Sequence, residues 1–402
     1  MIAEGYKDTE IGVIPVEWKV IKVGEFCDIL DNKRVPLSSE QRADIKGNIP
    51  YYGANGVVDY INDFLFDEEL VLLAEDGGNF SEFETRPIAY MIDGKSWVNN
   101  HTHILRAKNG QNHFLFYNLV HKNITAFING GTRAKLNRGE LVKIPIPLPP
   151  LKEQEKIADI LSTSDAKIDA IASQIEKAET LKKGLLQKLL SEGIGHSEFK
   201  DSELGRIPES WEVVELNDLC SKIVGGGTPN SKIDDYWKNG TIYWATVKDM
   251  DNSKYLSKTQ DTITDLGLKN SSANLIPANS IITATRMGLG RFFINTVDMA
   301  INQDLKALII KERYDKNFIF WSLVSKSDFI LSLGTGTTVK GIRLEEFKTI
   351  KFTIPPLKEQ KQIADILSTA DEKLEVLRAK KEKYETLKKG LLQKLLSGEV
   401  RV

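Results

Sequence analysis

The sequence predicts an α+β protein in which two similar mixed α/β domains alternate with two long α-helices. Three observations carry this prediction. The segment "PPLKEQEKIADILSTSDAKIDAIASQIEKAETLKKGLLQKLLS", starting at Pro149, recurs from Pro355 with about 30 of 43 aligned positions identical. The segment "YKDTEIGVIPVEW" (Tyr6 to Trp18) recurs as "FKDSELGRIPESW" (Phe199 to Trp211). The length of 402 residues exceeds what one typical core accommodates. The chain is therefore predicted to contain one unit twice, with pseudo-two-fold internal symmetry.

The repeats place the boundaries of four parts. The first domain covers residues 1–148 and the first helical spacer 149–195. The second domain covers 196–353 and the second spacer 354–402. Within the domains, the short apolar runs "LVLLAE", "THILRA", "SIITAT" and "KALIIK" predict β-strands. The segments "HFLFYNLVHKNI" and "KNFIFWSLVSKS" predict amphipathic helices. "WVNNHTHILRA" and "MAINQDLKALII" share a polar kink inside an apolar strand pattern.

Each repeated helix begins with two prolines, which fit the start of a helix but not its interior. Apolar or small residues then follow at steps of three and four, which is coiled-coil spacing. In the first copy they are Ile157, Leu161, Ser164, Ile168, Ile171, Ile175, Ala178, Leu181, Leu185 and Leu189. In the second they are Ile363, Leu367, Ala370, Leu374, Leu377, Tyr384, Leu387, Leu391 and Leu395.

A helix of about 40 residues is roughly 60 Å long and cannot bury such a stripe alone. We expect the two copies to pack together as a two-helix rod; an intermolecular coiled coil in a dimer is the alternative. Gly184 and Gly390 occupy equivalent positions in the two helices. They allow a close helix approach or a bend, or they are tolerated defects that cost about 1 kcal/mol each relative to alanine.

The composition is that of a soluble protein without a disulfide framework. The chain is 41% hydrophobic and 27% charged, has a net charge of −2, and contains only Cys27 and Cys220. The cysteines coincide when the repeats are aligned, so we expect equivalent core positions. No apolar run approaches the roughly 18 residues of a membrane span, and the first residues do not form a signal peptide. A cytoplasmic location in a prokaryote, with no membrane partner, is expected.

Several of these segments together resemble the specificity subunit of type I restriction-modification enzymes along essentially the whole chain. The resemblance rests on "IGVIPVEW" and "LGRIPESW", on "GGTRAKLNRGEL" and "GTTVKGIRLEEF", and most specifically on "IPLPPLKEQEKIADIL" and "IPPLKEQKQIADIL". It implies two target-recognition domains, each reading one half of a bipartite asymmetric site in double-stranded DNA. It also implies that the two helices form an antiparallel coiled-coil rod, which spaces the domains and docks two methyltransferase subunits.

The resemblance further implies that motor and nuclease subunits join the complex, and that adenine methylation and restriction are directed by this chain. No cofactor is expected on the chain; S-adenosylmethionine, ATP and Mg²⁺ are expected on the partner subunits. Two alternatives stay open. One is a specificity subunit of another methyltransferase or nuclease type without a separate motor. The other is a protein-binding scaffold that does not bind DNA.

The sequence predicts no catalytic and no metal site. "IVGGGTPNS" and "LGTGTTVKG" do not have dinucleotide or P-loop spacing. The Pro-Pro pairs are followed by Leu151 and Leu357, not by the aromatic residue with which amino-methyltransferases hold a flipped base. His101 and His103 alone do not make a metal motif. Glu75 and Asp76 lie in a glycine-rich turn, where adjacent carboxylates are typically solvated. We therefore expect a binding subunit without an active site.

A basic segment from Arg106 to Lys143 holds about seven Lys and Arg residues against one acid, Glu140, as phosphate binding requires. Base reading in the major groove requires Arg, Lys, Asn or Gln. The predicted DNA-binding residues of the first domain are Lys33, Arg34, Tyr52, Asn55, Asn100, His101, Thr132, Arg133 and Lys135. Those of the second domain are Lys248, Arg286, Arg291, Asn302, Gln303, Thr338, Lys340 and Arg343. Residues 129–136, which contain "GGTRAK", form the basic turn of this segment. Asn137 and Glu140 have capping-box spacing, so this turn could instead simply start a helix.

Overall fold

The computed structural model of the chain describes residues 2–130, 134–251, 253–336 and 340–402. These residues form two compact units. Unit 1 comprises Met1–Ser173 and Ala379–Val402, and unit 2 comprises Gln174–Arg378. Each unit therefore contains one α/β domain and a segment of both long helices. In the described part of the chain, no helix is long and apolar enough to cross a membrane.

Unit 1 is built on two four-stranded sheets, with strand orders β4-β11-β8-β9 and β6-β5-β10-β7, and two small antiparallel pairs, β1-β2 and β3-β12. Its strands are β1 Tyr6–Thr9, β2 Gly12–Pro15, β3 Lys19–Lys22, β4 Cys27–Ile29, β5 Lys46–Gly53, β6 Gly56–Ile61, β7 Phe66–Asp67, β8 Leu70–Ala74, β9 Ala89–Ile92, β10 Lys95–Val98, β11 Thr102–Ala107 and β12 Pro145–Leu148. Its helices are α1 Val23–Phe26, α2 Ser39–Asp44, α3 Asn112–Leu119, α4 Arg138–Leu141 and the start of α5 Leu151–Ser191.

Unit 2 repeats this architecture, with sheet orders β16-β24-β21-β22-β18 and β19-β17-β23-β20 and the pairs β13-β14 and β15-β25. Its strands are β13 Phe199–Ser202, β14 Gly205–Pro208, β15 Glu212–Glu215, β16 Cys220–Gly225, β17 Ile242–Ala245, β18 Tyr255–Leu256, β19 Asp261–Ile263, β20 Leu275–Ile276, β21 Ile281–Ala284, β22 Phe292–Asn295, β23 Met299–Ile301, β24 Leu305–Ile310 and β25 Lys351–Ile354. Its helices are α6 Leu216–Leu219, α7 Asp265–Lys269, α8 Lys316–Ser325, α9 Ser327–Ser332, α10 Leu344–Lys348 and the start of α11 Leu357–Leu396.

The central strands have apolar side chains on both faces, which is why their sequences are continuous apolar runs rather than alternating ones. Along β8, Val71 and Leu73 pack into one core cluster, while Leu70 and Leu72 pack into another. The four strands predicted from apolar runs are confirmed as β8, β11, β21 and β24. The helices α3 and α8 are also confirmed, but their predicted amphipathic character is wrong. Most residues of both are buried, because these short helices are enclosed by the cores.

The duplicated openings form the same hairpins, β1-β2 and β13-β14, and each ends in a fully buried tryptophan. Cys27 and Cys220 are free and buried at the start of β4 and β16, as the aligned repeats predict. Burial raises the pKa of each thiol to about 12, so neither is a reactive thiolate at neutral pH.

The motif "PPLKEQ" joins each domain to the long helix that follows it. In unit 1, the indole N–H of Trp18 donates to buried Glu153 at 3.0 Å, and the side-chain amide of Gln154 donates to the Pro149 carbonyl at 2.8 Å. In unit 2, Trp211 donates to Glu359 at 3.1 Å, and Gln360 donates to the Pro355 carbonyl at 2.7 Å. The indole bond thereby ties the end of the opening hairpin to the first turn of the helix, and the amide bond fixes the first of the two prolines that precede it.

A different residue completes each of these joints. In unit 1, Arg401 donates to both carboxylate oxygens of Glu153, at 2.6 and 3.0 Å. In unit 2, the Ile194 backbone N–H donates to Glu359 at 2.9 Å, and His196 Nε2 lies 2.8 Å from the same oxygen. In both units, the residues that follow the end of one long helix therefore close the joint at the start of the other.

Within each unit, the segments of α5 and α11 run antiparallel. In unit 1, Asp165 of α5 pairs with Lys388 of α11, and Glu153 pairs with Arg401, which follows the end of α11. In unit 2, Lys182 pairs with Asp371 and Glu179 pairs with Arg378. Residues later in α5 pair with residues earlier in α11, so the two segments are antiparallel.

Two predicted seam positions lie outside the packed stripe. Leu181 and Leu387 are equivalent and are 60% and 54% exposed. The close-approach explanation of the helix glycines is also wrong, since a Cβ added at Gly184 or Gly390 would have no neighbour within 4 Å.

The joint in unit 1 generates a stability prediction with a defined pH dependence. Burial on its own would raise the pKa of Glu153, but hydrogen bonds from Arg401 and Trp18 outweigh it and hold the pKa below its ordinary value. We expect Arg401→Ala to lower the free energy of unfolding by about 2 kcal/mol at neutral pH, because a buried carboxylate loses its charged partner. A carboxyl with a depressed pKa stabilises above the ordinary value of 4.5 and loses that contribution as the pH falls through the folded pKa. The deficit should therefore shrink as the pH is lowered below that value.

Urea unfolding at several pH values measures both effects. Lys394→Ala is the matched control, because Lys394 pairs at 2.8 Å with Glu399, which is 60% exposed. Its loss should cost no more than about 1 kcal/mol. Equal losses for the two variants, or a deficit for Arg401→Ala that does not change with pH, would contradict the assignment.

Candidate nucleic-acid interface

Three segments of unit 1 meet where strands β8 and β11 pair. Glu75 donates its backbone N–H to the His101 carbonyl at 2.9 Å, and Leu136 donates to the Glu75 carbonyl at 2.8 Å. Because β8 ends and β11 begins at this edge, the segments that connect them to the rest of the domain are brought together there. The segments are the strand-end loop (75–80), the kink (99–101) and the described part of the basic turn (129–130 and 134–136).

Unit 2 builds the same arrangement with equivalent hydrogen bonds. Thr285 donates to the Asp304 carbonyl at 2.8 Å, and Ile342 donates to the Thr285 carbonyl at 3.0 Å. A close glycine follows at the same place in both loops: a Cβ on Gly78 would meet Ala74, and one on Gly288 would meet Ala284. The equivalent segments are the strand-end loop (285–291), the kink (302–304) and the described part of the turn (335–336 and 340–342).

A buried ionic network lies beneath these segments in unit 1. The Arg34 guanidinium donates to Glu75 at 2.5 Å and to the Thr102 carbonyl at 2.9 Å, while Lys135 lies 3.2 Å from Glu75. His103 Nδ1 lies 2.7 Å from Asp31, and its Nε2 lies 2.8 Å from the Leu136 carbonyl. That carbonyl oxygen can only accept, so Nε2 carries a proton. The network therefore ties all three segments to one another.

The partners of Asp31 and Glu75 in this network explain the pKa values of these two carboxyl groups. Burial alone would raise the pKa values of Asp31 and Glu75, but hydrogen bonds from His103 and Arg34, respectively, hold both below their ordinary values. Asp31, Glu75 and His103 place ligand atoms within 4.8 Å of one another, as a metal site would. Since Arg34 and Lys135 already balance the carboxylates, we interpret the group as an ion-pair network. The expectation that Glu75 is solvated is wrong, because Glu75 is 9% exposed.

The described DNA-binding candidates of unit 1 lie on or beside these segments. Asn55, in the turn between β5 and β6, donates to the Gly77 carbonyl at 3.0 Å. Tyr52 is half-buried against Tyr90, and its carbonyl accepts from the backbone of Asn99 at 3.0 Å. Lys33, Asn100 and Lys135 are exposed, His101 is partly exposed, and Arg34 is largely internal. Thr132 and Arg133 lie outside the described residues. DNA contact by these side chains stays a prediction.

The candidates of unit 2 gather in the same way. Arg286 follows β21, and the Lys340 carbonyl accepts from the backbone of Met287 at 3.3 Å. Gln303 in the kink is exposed and accepts from Thr228 at 2.5 Å, and Arg291 donates to the Met250 carbonyl at 3.3 Å. Lys248 and Arg343 are also exposed. Thr338 lies outside the described residues.

The strand register aligns the two kinks residue by residue. Asn302 corresponds to Asn99. Asn99 accepts from the His101 backbone at 2.8 Å, and Asn302 accepts from the Asp304 backbone at 3.1 Å. Both asparagines are buried and hold the kink as an Asx turn. Asn100 and Gln303 are therefore the equivalent exposed residues.

The structure confirms the helix start of the capping-box alternative but not the capping box itself. A helix, α4, does begin after Asn137, but the Asn137 side chain makes no capping hydrogen bond. Arg343 precedes α10 at the equivalent position, also without a side-chain cap. The polar side chains at these two positions are therefore not needed to start the helices.

The acidic and basic residues of the two edges exchange places between the units. The acid lies in the strand-end loop of unit 1 but in the kink of unit 2. In unit 1, His101 of the kink lies 3.4 Å from Asp76 of the strand-end loop. In unit 2, Arg286 of the strand-end loop lies 3.8 Å from Asp304 of the kink. The basic side chains are 42% and 60% exposed, while the carboxylates are 16% and 14% exposed. Each unit thus holds an exposed nitrogen donor beside a recessed carboxylate, but on opposite segments.

The end of the basic turn carries the same kind of ion pair in both units. In unit 1, Lys143 pairs at 2.7 Å with Glu140, and in unit 2 Lys348 pairs at 2.9 Å with Glu345. Glu140 lies on α4 and Lys143 just after it, while Glu345 and Lys348 both lie on α10. The same kind of ion pair therefore follows the basic turn in both units.

Comparison with known proteins agrees with this repeated architecture. The family model described as "Type I restriction modification DNA specificity domain" matches residues 15–180 and 208–386. A putative type I restriction enzyme MjaX specificity subunit from Methanocaldococcus jannaschii is 31% identical, with 99% of this chain and 97% of that protein covered. The MjaVIII specificity subunit of the same organism is 30% identical, with 99% and 96% covered.

A solved structure shows the same fold. The S subunit of a type I restriction-modification system from M. genitalium superposes with a TM-score of 0.66 at 15% identity, covering 94% of this chain and 96% of that one. The two matched segments, the full-length relatives and the shared fold lead to one conclusion. The chain belongs to the family of type I restriction-modification DNA specificity subunits.

Proposed function

We propose that each unit of this specificity subunit reads one half of a split, asymmetric DNA site. The observation that carries the proposal is the three-segment edge, which is built twice on the same hydrogen bonds but bears different side chains. The His101–Asp76 pair in one unit and the Arg286–Asp304 pair in the other offer different donors to base edges. Two such edges would give one chain two independent sequence preferences.

We further propose that α5 and α11 form one antiparallel coiled-coil rod that sets the gap between the two half-sites. The antiparallel ion pairs within each unit support it. The chain would direct adenine methylation by two methyltransferase subunits, and restriction once motor and nuclease subunits join. S-adenosylmethionine, ATP and Mg²⁺ would be bound by those partners, because this chain's role is recognition rather than catalysis.

The direct test is a methylation map. The chain is co-expressed with its host's cognate methyltransferase subunit, and methylated adenines on a mixed-sequence plasmid are located by single-molecule sequencing. We expect methylation at one split motif with a constant gap. A stable complex that methylates without any motif would contradict the proposal and favour a protein-binding scaffold.

The exposed leucines generate a prediction about methyltransferase docking. Leu181 lies in unit 2 and Leu387 in unit 1, at equivalent positions of two nearly identical segments. Each unit therefore presents the same apolar surface once, as two docked copies of one partner require. Leu387→Glu should weaken one docking site by about tenfold or more, because a charge enters a desolvated contact. Native mass spectrometry should then find one bound methyltransferase instead of two, and the double variant with Leu181→Glu should bind none.

Val376→Glu is the matched control for this prediction. Val376 is 66% exposed on the same helix, but the equivalent residue of α5 is Ala170. This control should leave two methyltransferases bound. If Leu387→Glu also retains two, the docking surface lies elsewhere on the chain.

A further inference from the structure

Met287 is a bulky apolar residue at the tip of the strand-end loop in unit 2. Its side chain is 65% exposed, and its backbone adopts a left-handed conformation with φ of 57°. This conformation is unfavourable for residues with a Cβ and is rare for large side chains. Folding alone therefore favours neither the exposure of this side chain nor its backbone conformation.

The equivalent position in unit 1 shows what the turn itself requires. Gly77 follows Asp76 as Met287 follows Arg286, and Gly77 has φ of 72°. Glycine adopts this conformation without steric cost. The turn thus needs a left-handed residue in both units, and only unit 2 places a large side chain there. Residues held in such conformations concentrate at functional sites.

We propose that Met287 is a specificity-determining residue that packs against the C5-methyl group of a thymine in the half-site read by unit 2. The inference rests on the proposed function, because it assigns one contact of the same DNA-reading edge. Unit 1, which has Gly77 at this position, makes no such contact.

The neighbours of Met287 indicate the kind of surface that it meets. Arg286 precedes it and is 60% exposed, and Lys340 and Arg291 lie on the same edge. Exposed arginines are the commonest readers of guanine in the major groove, and the thymine methyl is the apolar group that base pairs present there. A methionine between basic residues is therefore positioned for an apolar contact within a polar interface.

The properties of methionine favour this contact over insertion between base pairs. Its thioether chain is flexible and polarizable, which suits close packing against a methyl group. Separating stacked bases costs several kcal/mol and is usually done by apolar wedges in the minor groove. The exposed arginines beside Met287 instead match the hydrogen-bonding groups of the major groove.

The test uses the complete complex with its methyltransferase subunits and the split motif found by methylation mapping. Each thymine of the motif is replaced in turn by deoxyuridine, which lacks only the methyl group, and the affinity of the complex is measured. We expect one replacement in the half-site of unit 2 to weaken binding by roughly fivefold to tenfold. Met287→Gly should bind the original site that much more weakly and should no longer distinguish thymine from deoxyuridine.

The same variant separates function from folding. Met287→Gly should raise the melting temperature by a few degrees, since glycine relieves the left-handed backbone. Asn239→Gly is the matched control, because Asn239 is also exposed and left-handed in unit 2, with φ of 57°, in the turn before β17. It should leave DNA affinity and thymine discrimination unchanged.

A Met287→Gly complex that still discriminates thymine from deoxyuridine would overturn the inference, as would a wild-type complex that discriminates at no position. In both cases the split motif itself would survive, so the proposed function would stand. Only the absence of any motif in the wild-type complex would remove both.

Discussion

The hydrogen bond between a buried tryptophan and a buried glutamate is the interaction on which each half of the molecule depends. Trp18 with Glu153, and Trp211 with Glu359, fix the opening hairpin of a domain to the first turn of its long helix. A buried carboxylate needs a charged or polar partner, because leaving it unpaired is costly. The chain supplies that partner from the far end of the other long helix. The joint therefore links domain and helices in both units, and the loops can vary without disturbing it.

The two units share their long helices and joints but differ in the side chains of their loops. The long helices match at about 30 of 43 positions, and both joints repeat the same Trp–Glu and Gln–Pro hydrogen bonds. The loop-bearing edge repeats only its backbone hydrogen bonds, while the side chains exchange charge between the strand-end loop and the kink. A shared backbone frame with different side chains is how one fold can recognise different bases. Met287 and Gly77 are the extreme case, because the same left-handed turn carries a large side chain in one unit and none in the other.

Much of the fold was predictable because its signals are local or repeated. The strands β8, β11, β21 and β24 are visible in the sequence as short apolar runs, and the long helices are visible as a repeat. The ionic network around Glu75 was not predictable, because Arg34, Glu75 and Lys135 are far apart in the sequence and meet only through strand pairing. Leu181 and Leu387 fit the heptad spacing of the seam but are largely exposed. Heptad spacing predicts which residues form an apolar stripe, but it does not predict which of them are buried against a partner helix.

The central claim is that each unit reads its own half of the target, and a single substitution tests it most directly. Arg286 is the exposed donor of the unit 2 edge, so Arg286→Ala would remove its proposed base contact without changing any residue of unit 1. Methylated adenines are mapped for the complex that contains this variant. The account predicts that one position in one half of the split motif becomes degenerate, while the other half and the gap stay unchanged. Degeneracy in both halves, or a changed gap, would contradict it.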